Sequence, residues 1–190
     1  MKENRVSNRY AKSILTLGIE RNELENILQD VELVGSVINE NRELASALSS
    51  PIIKGDTKNN ILKNIFSGKV GETIMSFMDI LVRKGREHLL FDICKEFTLQ
   101  YKQLKNITTV HVTTAIAPDD LLRGEIGEFI ERAKNSLGIS GTIEIKEKVK
   151  PEIVGGFIIQ AGDLQIDHSV RRKFEDLRSE FSKNLYIPQI

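Results

Sequence analysis

The sequence predicts an α+β protein in two parts: an N-terminal six-helix bundle over residues 1–105, then a smaller α/β domain over residues 106–190 with a short sheet and two helices. Three observations carry this. Apolar residues recur at helical spacing as far as about Lys105. From Asn106 the pattern changes, because Ile107-Thr108-Thr109-Val110-His111-Val112-Thr113-Thr114 is β-branched and alternating. A chain of 190 residues that is 40% hydrophobic and 28% charged is long enough and apolar enough for one large or two small folded domains.

Tyr10, Ile14 and Leu17, with Ala11, Leu15 and Gly18 beside them, trace one face of a first helix. Leu24, Ile27, Leu28, Val31, Val34 and Ile38 do the same for a second. A short helix around Arg42–Leu48 stops before Ser50-Pro51, since proline disfavours the helical conformation in the residue ahead of it. Asp56 or Thr57 is expected to cap a fourth helix that carries Ile61, Leu62, Ile65 and Phe66 and closes at Gly68. A fifth is predicted from Val70 to Lys84 with Gly85 as its stop, and a sixth from Glu87 to Lys105. Short links between one-faced helices imply a compact antiparallel bundle.

In the second part, Pro118 is expected at the first position of a helix that runs to Leu137, with Asp119 and Asp120 in its electropositive first turn. Thr142–Val149 alternates as a half-exposed strand, while Ile153–Gln160 is more continuously apolar. Ala161-Gly162-Asp163 is turn chemistry, which joins Ile153–Gln160 to Leu164–Asp167 as a hairpin. A last helix is predicted from Ser169 to Lys183.

Charge and motifs exclude more than they suggest. Lys plus Arg and Asp plus Glu are each 27, so there is no basic excess of the kind that binds nucleic acid. No apolar run reaches the roughly 18 residues that span a bilayer, and the opening residues lack the hydrophobic stretch of a signal peptide, so a cytosolic bacterial protein or a processed mature form is expected. The single cysteine, Cys94, permits no internal disulfide and reads as core filler. Gly68-Lys69-Val70 lacks the hydroxyl residue and the upstream glycine of a phosphate loop, and Gly155-Gly156 lacks the further glycine of a dinucleotide site. His88, His111 and His168 lie on different predicted elements. Asp163, Asp167 and His168 are the densest polar cluster of the second part and would serve a small ligand-binding protein or an acid–base or metal site. A hairpin tip at Asp163 and a helix cap at Asp167 or Ser169 account for them more simply. The basic segments Arg83-Lys84-Gly85-Arg86 and Arg171-Arg172-Lys173 read as solvated helix ends.

One segment is more specific. Val149-Lys150-Pro151-Glu152-Ile153-Val154-Gly155-Gly156-Phe157-Ile158-Ile159-Gln160-Ala161-Gly162, followed by Asp167-His168-Ser169-Val170, resembles the Pro-x-Ile-x-Gly-Gly-Phe … Gly … Asp-x-Ser signature of the delta subunit of the rotary ATP synthase, the oligomycin-sensitivity-conferring protein of mitochondria. Arg9-Tyr10-Ala11-Lys12-Ser13-Ile14-Leu15, Ser50-Pro51, Lys58 and Leu81-Val82-Arg83-Lys84-Gly85-Arg86 extend the resemblance over nearly the whole chain. Two positions depart from it: Lys84 stands where the family often has Asn, and Phe174 where it commonly has Leu, an apolar exchange expected to repack.

The resemblance implies a non-catalytic stator subunit without cofactor or metal, a monomer when isolated, at the cytoplasmic face of the bacterial inner membrane with no membrane insertion of its own. It implies that the helical domain binds the N-terminal segments of the alpha subunits of the catalytic head, and that the α/β domain binds the b subunits. In that family the alpha segment lies between the first and fifth helices, so Tyr10, Ile14, Leu17, Ile74, Phe77, Met78 and Leu81 are the partner-binding candidates, several of them serving as core. The alternatives are a helical adaptor of another assembly and the ligand-binding protein with its site near Asp163, Asp167 and His168.

Overall fold

A computed structural model of the chain describes residues 2–134 and 141–182. The chain divides into two compact units, Met1–Leu104 and Lys105–Ile190.

The described part of the first unit holds six α-helices: α1 (Lys2–Arg21), α2 (Leu24–Glu40), α3 (Arg42–Ser49), α4 (Gly55–Phe66), α5 (Glu72–Arg83) and α6 (Leu90–Leu104), with a 3-10 turn over Glu87–Leu89 ahead of α6. Asn22, at φ 55°, reverses the chain between α1 and α2 in the left-handed conformation that asparagine tolerates. The spacing of Ile27, Val31, Val34 and Ile38 puts all four on the buried side of α2. That side meets α6, and α1 packs against both α2 and α6; α4 pairs with α5. Phe66 and Phe97 are fully enclosed in this unit, and burying such a side chain stabilises by about 1.5–3 kcal/mol.

Three expected boundaries shift. The fourth helix begins at Gly55 after Lys54, so neither Asp56 nor Thr57 caps it, and Asp56 lies in its first turn. Lys58 instead holds this end from inside: its Nζ donates to the Leu48 carbonyl at 2.8 Å and to Glu87 Oε1 at 2.6 Å. The fifth helix starts at Glu72 with Gly71 as the preceding cap residue, and it ends at Arg83. The sixth opens as the 3-10 turn, which brings the buried Glu87 to Lys58.

The second unit contains β1 (Ile107–Thr114), α7 (Asp120–Ala133), β2 (Thr142–Val149), a 3-10 turn at Pro151–Ile153, β3 (Gly156–Ala161), β4 (Leu164–Ser169) and α8 (Val170–Ser182). Strand order is β2-β1-β3-β4. β1 runs parallel to β2 with Ile107 opposite Thr142, a pairing that requires a crossover, and α7 supplies it. β3 is antiparallel to β1 and to β4, the hairpin closing at Ala161 opposite Leu164 around Gly162 at φ 57°. Val110, Val112, Ile159 and Ala161 on the sheet face Ile126, Ile130 and Ala133 of α7 and form the core. Arg123 of α7 grips Glu147 of β2 at 2.9 and 3.2 Å, which holds that carboxyl below its ordinary range.

Pro118 is not the first residue of α7. Asp119 caps the helix, its Oδ1 accepting the Leu122 N–H at 2.8 Å, a bond proline has no side-chain acceptor to make. The expected end at Leu137 lies outside the described residues, as does the expected end of α8 at Lys183. The strand predicted from Ile153 begins at Gly156, because Pro151, with φ fixed and no N–H, opens the 3-10 turn, and Val154 then adopts φ 65°. Ser169 caps α8 by accepting the Arg172 N–H at 3.1 Å, and Asp167 accepts the Ser169 N–H at 2.9 Å. Phe174 does not repack into a core: it is 65% exposed.

Cys94 lies on α6 in the first core, and burial pushes its thiol from 9.0 up to about 12. The folded chain therefore keeps this proton at pH values where the unfolded chain loses it. Its contribution to stability is complete below about pH 9 and falls as pH rises toward 12. Alkylation at pH 8 is expected to be slow in the native chain and rapid in urea, with mass spectrometry following the adduct; equal rates would contradict the burial.

Candidate partner-binding groove

Three helices leave a cleft of about 640 Å³ in the first unit. α1 contributes Ser13, Ile14, Leu17 and Arg21; α2 and its lead-in contribute Glu23, Asn26, Ile27 and Asp30; α5 and its lead-in contribute Gly71, Glu72, Thr73, Ser76, Phe77 and Ile80. On α5 the last four of these fall at i, i+3, i+4 and i+7, one continuous stripe.

Polar bonds fix the width at one end. Asp30 Oδ2 accepts the Gly71 N–H at 2.7 Å, satisfying a donor at the start of α5 that has no partner within the helix. Arg21 donates to Thr73 Oγ1 at 3.3 Å, and Thr73 lies 3.5 Å from its acceptor Glu23. Arg21, Glu23 and Asp30 are thus engaged in holding α5 to the α1–α2 corner. Leu17 is half-buried and Ile80 is 49% exposed, leaving apolar surface open between them above Ile14, Ile27 and Phe77.

The seven candidate residues divide. Ile14, Leu17 and Phe77 line the cleft. Ile74, Met78 and Leu81 are at most 2% exposed and belong to the core beneath. Tyr10 does not line the cleft; its ring packs edge-on to Phe77 with centroids 6.0 Å apart, and its hydroxyl accepts a bond from Arg86 at 2.7 Å. That bond gives Arg86 a role beyond a solvated helix end. Ile80, Thr73, Ser76 and the α2 residues Asn26, Ile27 and Asp30 also line the cleft and are not among the sequence candidates. The i, i+3, i+4, i+7 stripe on α5 was the available signal; the α2 contribution had none, because it depends on where α5 lands.

Asp163, Asp167 and His168 do not converge. Asp163 is at the hairpin tip, Asp167 and His168 alternate along β4 toward opposite faces, and His168 packs edge-on to Phe129 at 4.8 Å. Among the described residues no group of three His, Cys, Asp or Glu side chains is placed to hold a metal ion.

The family model described as ATP synthase delta (OSCP) subunit matches residues 6–181. The chain belongs to this family. It is 35% identical to the ATP synthase subunit delta of Cytophaga hutchinsonii, over 97% of this chain and 98% of the relative, and 31% identical to that of Christiangramia forsetii over the full length of both. A chain in the cryo-EM structure of the Toxoplasma gondii mitochondrial ATP synthase hexamer shares the fold, with a TM-score of 0.65 at 18% identity over 94% of this chain and 98% of that one. The delta-family chain is accordingly a non-catalytic peripheral-stalk subunit of a membrane-associated ATP synthase. Among the described residues no helix is long and apolar enough to cross a membrane.

Proposed function

We propose that the α1–α2–α5 cleft receives an amphipathic helix from the N-terminal segment of an ATP synthase alpha subunit, and that the second unit binds the b subunits, so that the chain ties the catalytic head to the stalk. The six helices act in this reading as one antiparallel bundle that presents the cleft. The chain is monomeric when isolated and works at the cytoplasmic face of the bacterial inner membrane.

The supporting observation is the open apolar surface of Leu17, Phe77 and Ile80 across two helices, beside a polar end where Arg21, Asp30, Gly71 and Thr73 bond to one another. A small-molecule site concentrates unsatisfied polar groups that fix orientation, whereas this cleft offers an apolar strip suited to helix anchors at i, i+3, i+4 and i+7. Resisting rotor torque demands slow release, and two attachments on one chain raise the effective concentration of each.

Leu17→Asp combined with Ile80→Asp is expected to weaken binding of the alpha segment by about 100-fold or more, since anchor residues dominate such interfaces. Far-UV circular dichroism should be unchanged, because both side chains already meet solvent. Leu81→Asp, at 1% exposure, should instead unfold the unit. Undiminished affinity in the folded double variant would contradict the assignment.

A further inference from the structure

We propose that the exposed face of α8 is a docking seam for an α-helix whose own apolar seam is flanked by acidic residues; this deepens the reading that the second unit binds the stalk and rests on it. Phe174, Leu177 and Phe181 are 65%, 48% and 87% exposed. Lone exposed apolar side chains are ordinary, but three large ones on a 13-residue helix are not scattered. Their spacing of three then four residues is the alternation that keeps one seam facing a partner helix; Val170, four residues before Phe174, continues the register but lies against Gly155 of its own unit. A single-helix partner at a shallow crossing angle fits this spacing.

Charge selects which helix. With Phe174 and Phe181 taken as a positions and Val170 and Leu177 as d, the flanking e and g positions are Arg171, Lys173, Arg178 and Glu180, three cations to one acid. The acids Glu175 and Asp176 lie away from the seam at b and c, where they pair within the helix with Arg171 at 3.1 Å and Arg172 at 3.2 Å. Exposed pairs of that kind are weak enough to exchange for a partner. A second copy of α8 fits poorly: Arg178 would face Lys173 of the copy in a parallel pair and Arg171 of the copy in an antiparallel one. Acidic flanks on the incoming helix meet the basic positions and repel wrong partners.

The test uses the full-length chain and two fluorescent 21-residue peptides with Leu at every a and d position, one carrying Glu at e and g and the other Lys. Anisotropy should show the Glu-flanked peptide binding at least ten-fold more tightly than the Lys-flanked one, and more weakly as salt rises. Phe174→Asp with Phe181→Asp should reduce that binding at least ten-fold. Lys173→Glu with Arg178→Glu should reverse the preference, a result that misfolding cannot produce. Equal binding of the two peptides, or binding of neither, overturns the proposal. A peptide of the C-terminal segment of the organism's b subunit separates the two levels. If it binds the wild type and the Phe174→Asp, Phe181→Asp variant equally, the seam is overturned and b binding by the second unit stands. If it binds neither while the Glu-flanked peptide binds, the seam stands and the b assignment fails.

Discussion

Lys58→Met is expected to lower the stability of the first unit by about 3–5 kcal/mol, the typical cost of removing one partner from a buried ion pair. Native domains are stable by only about 5–15 kcal/mol, so the urea midpoint should fall by a large fraction. The cause is specific. Lys58 is 3% exposed, donates at 2.8 Å to the Leu48 carbonyl near the end of α3 and at 2.6 Å to Glu87 in the 3-10 turn, and so ties three segments of the chain at one ammonium group. Methionine keeps the length of the side chain but strands the Glu87 carboxylate, whose Oε2 already has no hydrogen-bond partner among the described residues. Replacing both residues, Lys58→Met with Glu87→Leu, should recover most of the loss, because the desolvation cost leaves with the charges. A single-variant loss below about 1 kcal/mol, the value of an exposed pair, would mean that the ammonium reaches water.

Gly156→Val should cost about 2–5 kcal/mol in the second unit, the sum of a left-handed backbone penalty of about 1–2 kcal/mol and an overpacking penalty of about 1–3 kcal/mol. Gly156 sits at φ 74° where β3 leaves the 3-10 turn, and a Cβ there would run into the carbonyl oxygen of His168 on β4. Val adds β-branching to a position that even Ala would strain. Gly155→Ala should be milder, since its Cβ would meet only the side chain of Val170 at 3.2 Å. Thermal unfolding followed by near-UV circular dichroism, with native-state hydrogen exchange to locate the loss, checks both. The reverse order of severity would contradict the close approach at Gly156. This restraint explains in physical terms why the second glycine of the signature segment is needed: the hairpin strand must pass against the backbone that leads into α8.

Much of the fold was legible because its cues are local. Ile27, Val31, Val34 and Ile38 declare the buried side of α2 through spacing alone, and Ala161-Gly162-Asp163 declares the hairpin through turn chemistry. The parallel pairing of β1 with β2 follows once a helix stands between two strands. What resisted reading depends on distant chain meeting. Lys58 and Glu87 are 29 residues apart and look like surface residues until the fold brings them together. The groove candidates lie on two of its three helices and cover only part of the lining, because Ile74, Met78 and Leu81 share the apolar stripe of α5 with Phe77, and the helices packed against α5 decide which members are covered. Ile80 lies at the margin of that stripe and Asp30 belongs to another helix. The exposed side of α8 was equally opaque, since Phe174 reads as core from its sequence and stands in solvent in the fold.

Isothermal titration calorimetry of the full-length chain with a synthetic peptide of the N-terminal segment of the organism's alpha subunit tests the central claim most directly. The account predicts saturable one-to-one binding that disappears in the Leu17→Asp, Ile80→Asp variant while its circular dichroism is retained. No saturable binding by the folded wild-type chain, or equal binding by the variant, would contradict it.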